Sequence, residues 1–100
     1  MEHWKNTGIK SEVVEEIRQL AEKYQVKRIL LFGSRARGDF RRESDIDLAV
    51  EGGDVTAFAL DADETTSTLL RFDIVDLEDI SPGEFLKMIR KEGVILYEEV

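Results

Sequence analysis

Two stretches decide how this chain is read: Leu31-Phe32-Gly33-Ser34-Arg35-Ala36-Arg37-Gly38 and, a few residues on, Ser44-Asp45-Ile46-Asp47-Leu48. The first closes an apolar run, Arg28 to Phe32, which reads as a buried strand stopped by Gly33. Ser34 to Gly38 then reads as one helical turn or a tight loop. The second opens Asp45 to Val50, an alternation of Asp, Ile, Asp, Leu, Ala and Val that predicts a second strand ending at Gly52-Gly53. In that strand Ile46 and Leu48 face the core, and Asp45 and Asp47 share the opposite face.

Working outward, Val13, Ile17, Leu20 and Tyr24 recur at helical spacing among Glu15, Glu16, Arg18 and Glu22. An amphipathic helix is expected over about 11–25, with Ser11 as its N-cap. Residues 1–10, including His3 and Trp4, have no periodicity and read as a loosely held terminus. Val55, Phe58, Ala59 and Ala62 predict a short helix, and Thr65-Thr66-Ser67-Thr68 favours extended chain after it. Arg71 to Leu77 reads as a third strand. Ser81-Pro82-Gly83-Glu84 has the pattern of a capping box, with Ser81 at N-cap, Pro82 at N1 and Glu84 at N3. The helix it opens carries Phe85, Leu86, Met88 and Ile89 and stops at Gly93, a C′ glycine by position. Val94 to Tyr97 makes a last strand. The order predicts an α/β (α+β) fold, a small mixed sheet of about four strands flanked by helices, as one domain over residues 1–100.

A chain of 100 residues buries roughly 65% of its unfolded surface, enough for one core. It has no cysteine, which excludes disulfides, thiolate zinc sites and a cysteine nucleophile. Its opening residues lack the apolar stretch of a secretory signal, and no run approaches the length of a membrane span, so a cytoplasmic protein is expected. The formal net charge of -8 argues against a broad nucleic-acid surface. The charge is segregated, however. Lys23 to Arg42 holds seven bases and one acid, whereas Glu43 to Leu70 holds eight acids and no base. The boundary falls in the loop between the first two strands.

Two carboxylates at i and i+2 on a strand stand roughly 7 Å apart on one face and raise each other's pKa. A divalent cation offsets that repulsion, and carboxylate oxygens suit Mg²⁺ or Mn²⁺. The alternative is an alternating strand with a solvated polar face. A glycine and serine at a strand end aim backbone N–H groups outward, and glycine lets a phosphate approach closely. The alternative there is an ordinary strand-ending glycine followed by a capping serine.

Together, Gly33-Ser34, ten intervening residues and Asp45-Ile46-Asp47 resemble the signature of the DNA polymerase β-type nucleotidyltransferase superfamily. The flanking residues quoted above resemble its small stand-alone members, the minimal nucleotidyltransferases, and antitoxins of the MntA type among them. The likeness spans about residues 11–98 and implies the polymerase β-like fold. The family usually adds a third carboxylate from a neighbouring strand. Asp73 falls where it is expected, and Asp76, three residues on, would face the other way.

The resemblance implies transfer of AMP from ATP to a hydroxyl with release of pyrophosphate. Asp45 and Asp47 would hold two Mg²⁺ ions, with Mn²⁺ as a substitute. Asp73 would complete the metal site and accept the proton of the nucleophile. Gly33 and Ser34 would cradle the outer phosphates, and Arg35 and Arg37 would reach triphosphate oxygens. Arg41 and Arg42 read as surface. The implied partner is a HEPN-domain ribonuclease toxin encoded next door, with one of its tyrosines as acceptor. A chain that ends just after its last strand leaves nothing to build an acceptor pocket, which favours a protein acceptor over a small one. Two other readings stay open: transfer to a small molecule of the aminoglycoside type, and a non-catalytic module of the same fold that blocks its partner by occlusion.

Overall fold

The computed structural model describes residues 6–99, so His3 and Trp4 lie outside it. Helix α1 (Ser11–Lys23) is followed by strand β1 (Arg28–Phe32), the short helix α2 (Ser34–Arg37), strand β2 (Ile46–Glu51) and helix α3 (Val55–Thr65). Strand β3 (Phe72–Asp76), a 3-10 turn (Leu77–Asp79), helix α4 (Glu84–Glu92) and strand β4 (Val94–Glu98) complete the order. The four strands form one mixed sheet in the order β3-β2-β1-β4. The β1 strand is antiparallel to both β2 and β4, and β2 is parallel to β3.

Alternation along the central strands assigns the two faces. Ile29 and Leu31 of β1 and Ile46, Leu48 and Val50 of β2 pack with Val13, Val14, Ile17, Leu20 and Ala21 of α1 and Phe58 and Ala62 of α3. The opposite face carries a smaller cluster of Leu30, Phe32 and Ala49 under Ile89 of α4. Both central strands are therefore covered on both sides near their middles, which is why β1 reads as a continuous apolar run.

Several local expectations are corrected. Lys10, not Ser11, is the N-cap of α1. The helix closes two residues early because Gln25 takes a left-handed φ of 59°. Val26 N–H donates to Ala21 O and Gln25 N–H to Glu22 O, a Schellman closure with glutamine in the usual glycine place. The described part of the amino-terminal segment is packed, not loose: Thr7 and Ile9 are buried. Helix α3 is longer than expected, starting at an Asp54 cap that accepts from Ala57 N–H. Thr65 and Thr66 bond back to the carbonyls of Asp61 and Ala62 and so extend the helix instead of starting a strand.

The capping box at Ser81 does not form. Helix α4 begins at Glu84 with an extended Gly83 as its cap and no side-chain capping bond. Gly93 is also not left-handed, with φ -61°. It is required for space, since a Cβ there would sit 2.5 Å from Ile89 O. Among the described residues no helix is long and apolar enough to cross a membrane.

Candidate active site

The register places one row across three strands: Phe32 opposite Asp47 on β1 and β2, and Asp47 opposite Asp73 on β2 and β3. Paired residues point to the same side of a sheet, so Phe32, Asp47 and Asp73 share the face that carries α4. Asp45 lies two residues before Asp47, just ahead of β2, and is exposed like Asp73. Asp47 is half-buried. Asp76 pairs with Val50 on the other face, and its carboxylate accepts from Glu78 N–H to cap the 3-10 turn. It is outside the acid row.

Burial raises the Asp47 pKa above the ordinary carboxylate value, and the charges of Asp73 and Asp45 add to the rise. Arg37 and Arg35 act in the opposite direction. Asp47 therefore feels both neighbouring acids as well as the cost of its own partial burial. Among the described residues, no three carboxylate or histidine side chains converge tightly enough to form a finished metal cage. The donor set nevertheless fits a hard divalent cation: Asp47 and Asp73 paired on one face with Asp45 just ahead of β2, repulsion from both neighbours at Asp47, and oxygen atoms only.

Gly33 is fitted to Asp47. It has φ 76° and ψ -155°, a region essentially closed to other residues. A Cβ on Gly33 would run into Asp47 Oδ2 and stand 3.1 Å from its Cγ. The missing side chain is what lets the β1 end lie against the acid. Ser34 opens α2, half-buried, with its carbonyl accepting from Gly38 and Asp39 N–H.

The two arginines divide. Arg37 is 43% exposed in its side chain and pairs with Asp39 at 3.2 Å and Glu92 of α4 at 3.3 Å. Its guanidinium stays at the surface, within electrostatic reach of Asp47. Arg35 departs from the expectation of a phosphate ligand. It is 2% exposed, with Nε and Nη2 donating to Ser44 O, Nη1 to Thr7 O and Nη2 also to Arg42 O. Its guanidinium also lies 4.9 Å from the centre of the Phe40 ring. Backbone carbonyls occupy the fork, so Arg35 anchors the loop that leads to Asp45. Arg41 and Arg42 are exposed.

Phe85 had only the look of a core residue in the sequence. Its ring meets Phe32 edge-on, with centroids 5.7 Å apart, and it remains 44% exposed beside the acid row. The helical spacing to Ile89 marks its face, but only the sheet register shows what lies beneath it.

Comparison with known proteins agrees with this fold. The family described as "Polymerase beta, Nucleotidyltransferase" matches residues 15–100. The chain is 35% identical over 96 residues to "Putative protein adenylyltransferase MJ0604" of Methanocaldococcus jannaschii, across 85% of this chain and 94% of that protein. A second protein of that organism, "Putative protein adenylyltransferase MJ1379", is 53% identical over 45 residues, 41% of this chain and 45% of its own. Among solved structures, a toxin-antitoxin crystallised with AMP-PNP superposes with TM-score 0.69 at 26% identity, covering 86% of this chain and 73% of that one. A mutant of the toxin-antitoxin MntA-HpeT superposes with TM-score 0.64 at 26% identity, covering 85% of this chain and 72% of that one.

Proposed function

The chain belongs to the polymerase beta nucleotidyltransferase family and is an enzyme of that class, and from this premise we propose that it moves AMP from ATP to a hydroxyl of a partner protein. The acceptor oxygen forms a bond to the α-phosphorus as the bond to the β-phosphate bridge oxygen breaks. Pyrophosphate leaves, and the proton of the hydroxyl passes to Asp73. The observation that carries this reading is the acid row of Asp47 and Asp73, with Asp45 beside it, set against a glycine that only an unsubstituted Cα can occupy.

Asp45, Asp47 and Asp73 would hold divalent metal, two Mg²⁺ ions or Mn²⁺ in their place, which would supply charge neutralisation at the triphosphate and a more acidic acceptor hydroxyl. Gly33 and Ser34 receive the outer phosphates, and the exposed fork of Arg37 faces the same charge. Arg35 keeps Asp45 in place and has no part in phosphate binding.

The names of the relatives support a protein acceptor, and the structural neighbours support a toxin as partner. We take the chain to be the antitoxin of a toxin–antitoxin pair in the cytoplasm, modifying a tyrosine of a HEPN-domain ribonuclease. The test is incubation with Mg²⁺ and ATP labelled at the α-phosphate, with and without the product of the adjacent gene. Label on that protein, lost in Asp45→Asn/Asp47→Asn, is the expected result. Label on a small acceptor such as an aminoglycoside refutes the protein acceptor. A tight complex without label refutes transfer and leaves occlusion.

A further inference from the structure

The acid row stops at an open edge. Phe32, Asp47 and Asp73 follow one another across β1, β2 and β3, and β3 is the outermost strand on that side. The bond from Ile46 N–H to Arg71 O sets the phase of the β2–β3 ladder. Asp73 and Val75 turn their main-chain groups to β2, so Phe72 and Ile74 turn theirs outward. Among the described residues, nothing outside the sheet bonds to the main chain of Phe72 or Ile74. No residue of β3 is buried, whereas most of β2 is. Such a row of unpaired donors and acceptors is a template for another strand.

The position of this edge indicates what it receives. In-line attack puts the acceptor opposite the departing pyrophosphate. Gly33, at the end of β1, is assigned to the outer phosphates, and Asp73, on β3, to the acceptor proton. The acceptor therefore enters from the β3 side, and the next place in the acid row is the one beyond Asp73. The other edge strand, β4, is two strands away from Asp47.

We infer that an extended segment of the acceptor protein pairs with the outer edge of β3 as a fifth strand and brings its hydroxyl side chain into the row opposite Asp73, an inference that rests on the protein-acceptor reading. In an antiparallel addition Phe72 and Ile74 exchange the bonds. Asp73 then falls in the close pair that exchanges none, with Cα atoms about 4.5 Å apart. Alternation turns the residues beside the acceptor residue to the face of α1 and α3. Near the start of β3 that face holds a cavity of about 410 Å³ lined by Ile9, Leu69 and Leu70, and Leu69 is fully exposed. An apolar side chain of the segment fits there. Lys10 and Arg42 outnumber Glu12 around this cavity, whereas Asp76, Glu78 and Asp79 lie at the other end of β3. The edge therefore suits a segment that is acidic toward the cavity and basic toward the 3-10 turn.

Amide hydrogen exchange, read residue by residue on the full chain, tests this without turnover. In the free chain the Phe72 and Ile74 amides should exchange fast and those of Asp73 and Val75 slowly. Adding the product of the adjacent gene should slow Phe72 and Ile74 by roughly tenfold or more. Ile74→Pro removes one outward donor and leaves the ladder to β2 intact. It should raise the KM for that protein roughly tenfold, the scale of one lost main-chain bond, with the KM for ATP unchanged. Ile74→Val keeps the donor and should match wild type. Binding that leaves both amides fast overturns the inference, as does an unchanged KM in a folded Ile74→Pro protein. Slow exchange at both amides in the free chain means the edge is already covered and also overturns it. Label transferred to the partner while both amides stay fast refutes this inference alone. A lack of label on any protein refutes the protein-acceptor reading and this inference with it.

Discussion

Gly33→Ala tests the contact on which the site depends. The substitution has two separable costs. The backbone at φ 76° and ψ -155° is strained for any residue with a Cβ, by about 2 kcal/mol. The new methyl group also occupies the place of Asp47 Oδ2, which forces that side chain off its rotamer for about another 1 kcal/mol. A loss of about 3 kcal/mol lowers Tm by roughly 15 °C in a chain of this size. Thermal and urea melts followed by circular dichroism measure the first quantity. Transfer of labelled nucleotide, assayed well below the lowered Tm, measures the displacement of Asp47 and should be lost. Gly38→Ala is the control. Gly38 also has a positive φ, 94°, but a Cβ there meets nothing within 4 Å. It should cost about 1 kcal/mol and leave transfer intact. Adding Asp47→Ala to Gly33→Ala removes the collision but not the strain, so a double-mutant cycle should show about 1 kcal/mol of coupling. Additive effects, or full transfer by a stable Gly33→Ala protein, would refute the claim that the glycine exists for Asp47.

Asp47→Asn should raise Tm at neutral pH in the absence of metal, because the folded pKa is raised. The penalty of the charge is absent below the ordinary carboxylate value and complete above the raised one, so the gain should vanish in melts near pH 3. Asp61 behaves oppositely: its bonds from Tyr24, Lys23 and Thr65 lower its pKa to about 2. Its stabilisation is complete above the ordinary value and is lost as pH falls through about 2, so Asp61→Asn should flatten the acid limb of a stability–pH curve between about pH 4 and 2. Arg35→Ala should cost about 3 kcal/mol in urea melts, since it strips buried carbonyls of their donor. Arg35→Lys should recover little of that loss because an ammonium lacks the planar fork. Arg37→Ala, which breaks only exposed ion pairs, should change stability by less than about 1 kcal/mol while weakening tripolyphosphate binding.

What was legible in the sequence was what depends on local pattern. Alternation placed Ile46 and Leu48 inside and Asp45 and Asp47 on one face. The three-residue offset separated Asp73 from Asp76, and the register bears this out. Boundaries set by competing local bonds were not legible. Ser81 and Pro82 have the letters of a cap, but the chain enters α4 through an extended Gly83. The threonines after α3 have strand propensity, but their hydroxyls found helix carbonyls. Arg35 was misread because its partners are the backbone oxygens of Thr7, Arg42 and Ser44, which leave no trace in residue identity. Phe85 was missed because its exposure follows from acids on strands far away in sequence.

Arg35 also explains why the charge boundary falls where it does. Its Nε and Nη2 both donate to the carbonyl of Ser44, at 3.0 and 2.9 Å, and Ser44 directly precedes Asp45. The Ser44 hydroxyl accepts from Arg41 N–H, and Ile46 N–H donates to Arg71 O, so the backbone around Asp45 is fixed on both sides. The same guanidinium lies close enough to lower the Asp47 pKa against the pull of burial and the neighbouring acids. A buried cation from the basic block thus does what bound metal cannot do before it arrives: it holds the backbone beside one acid in place and partly offsets the charge of another. The basic and acidic blocks are two sides of one loop, joined by Arg35 from beneath and open above to a polyanion and its cations. On this account, loss of Arg35 should disorder Asp45 before it unfolds the sheet, because the apolar face under α1 and α3 owes nothing to that loop.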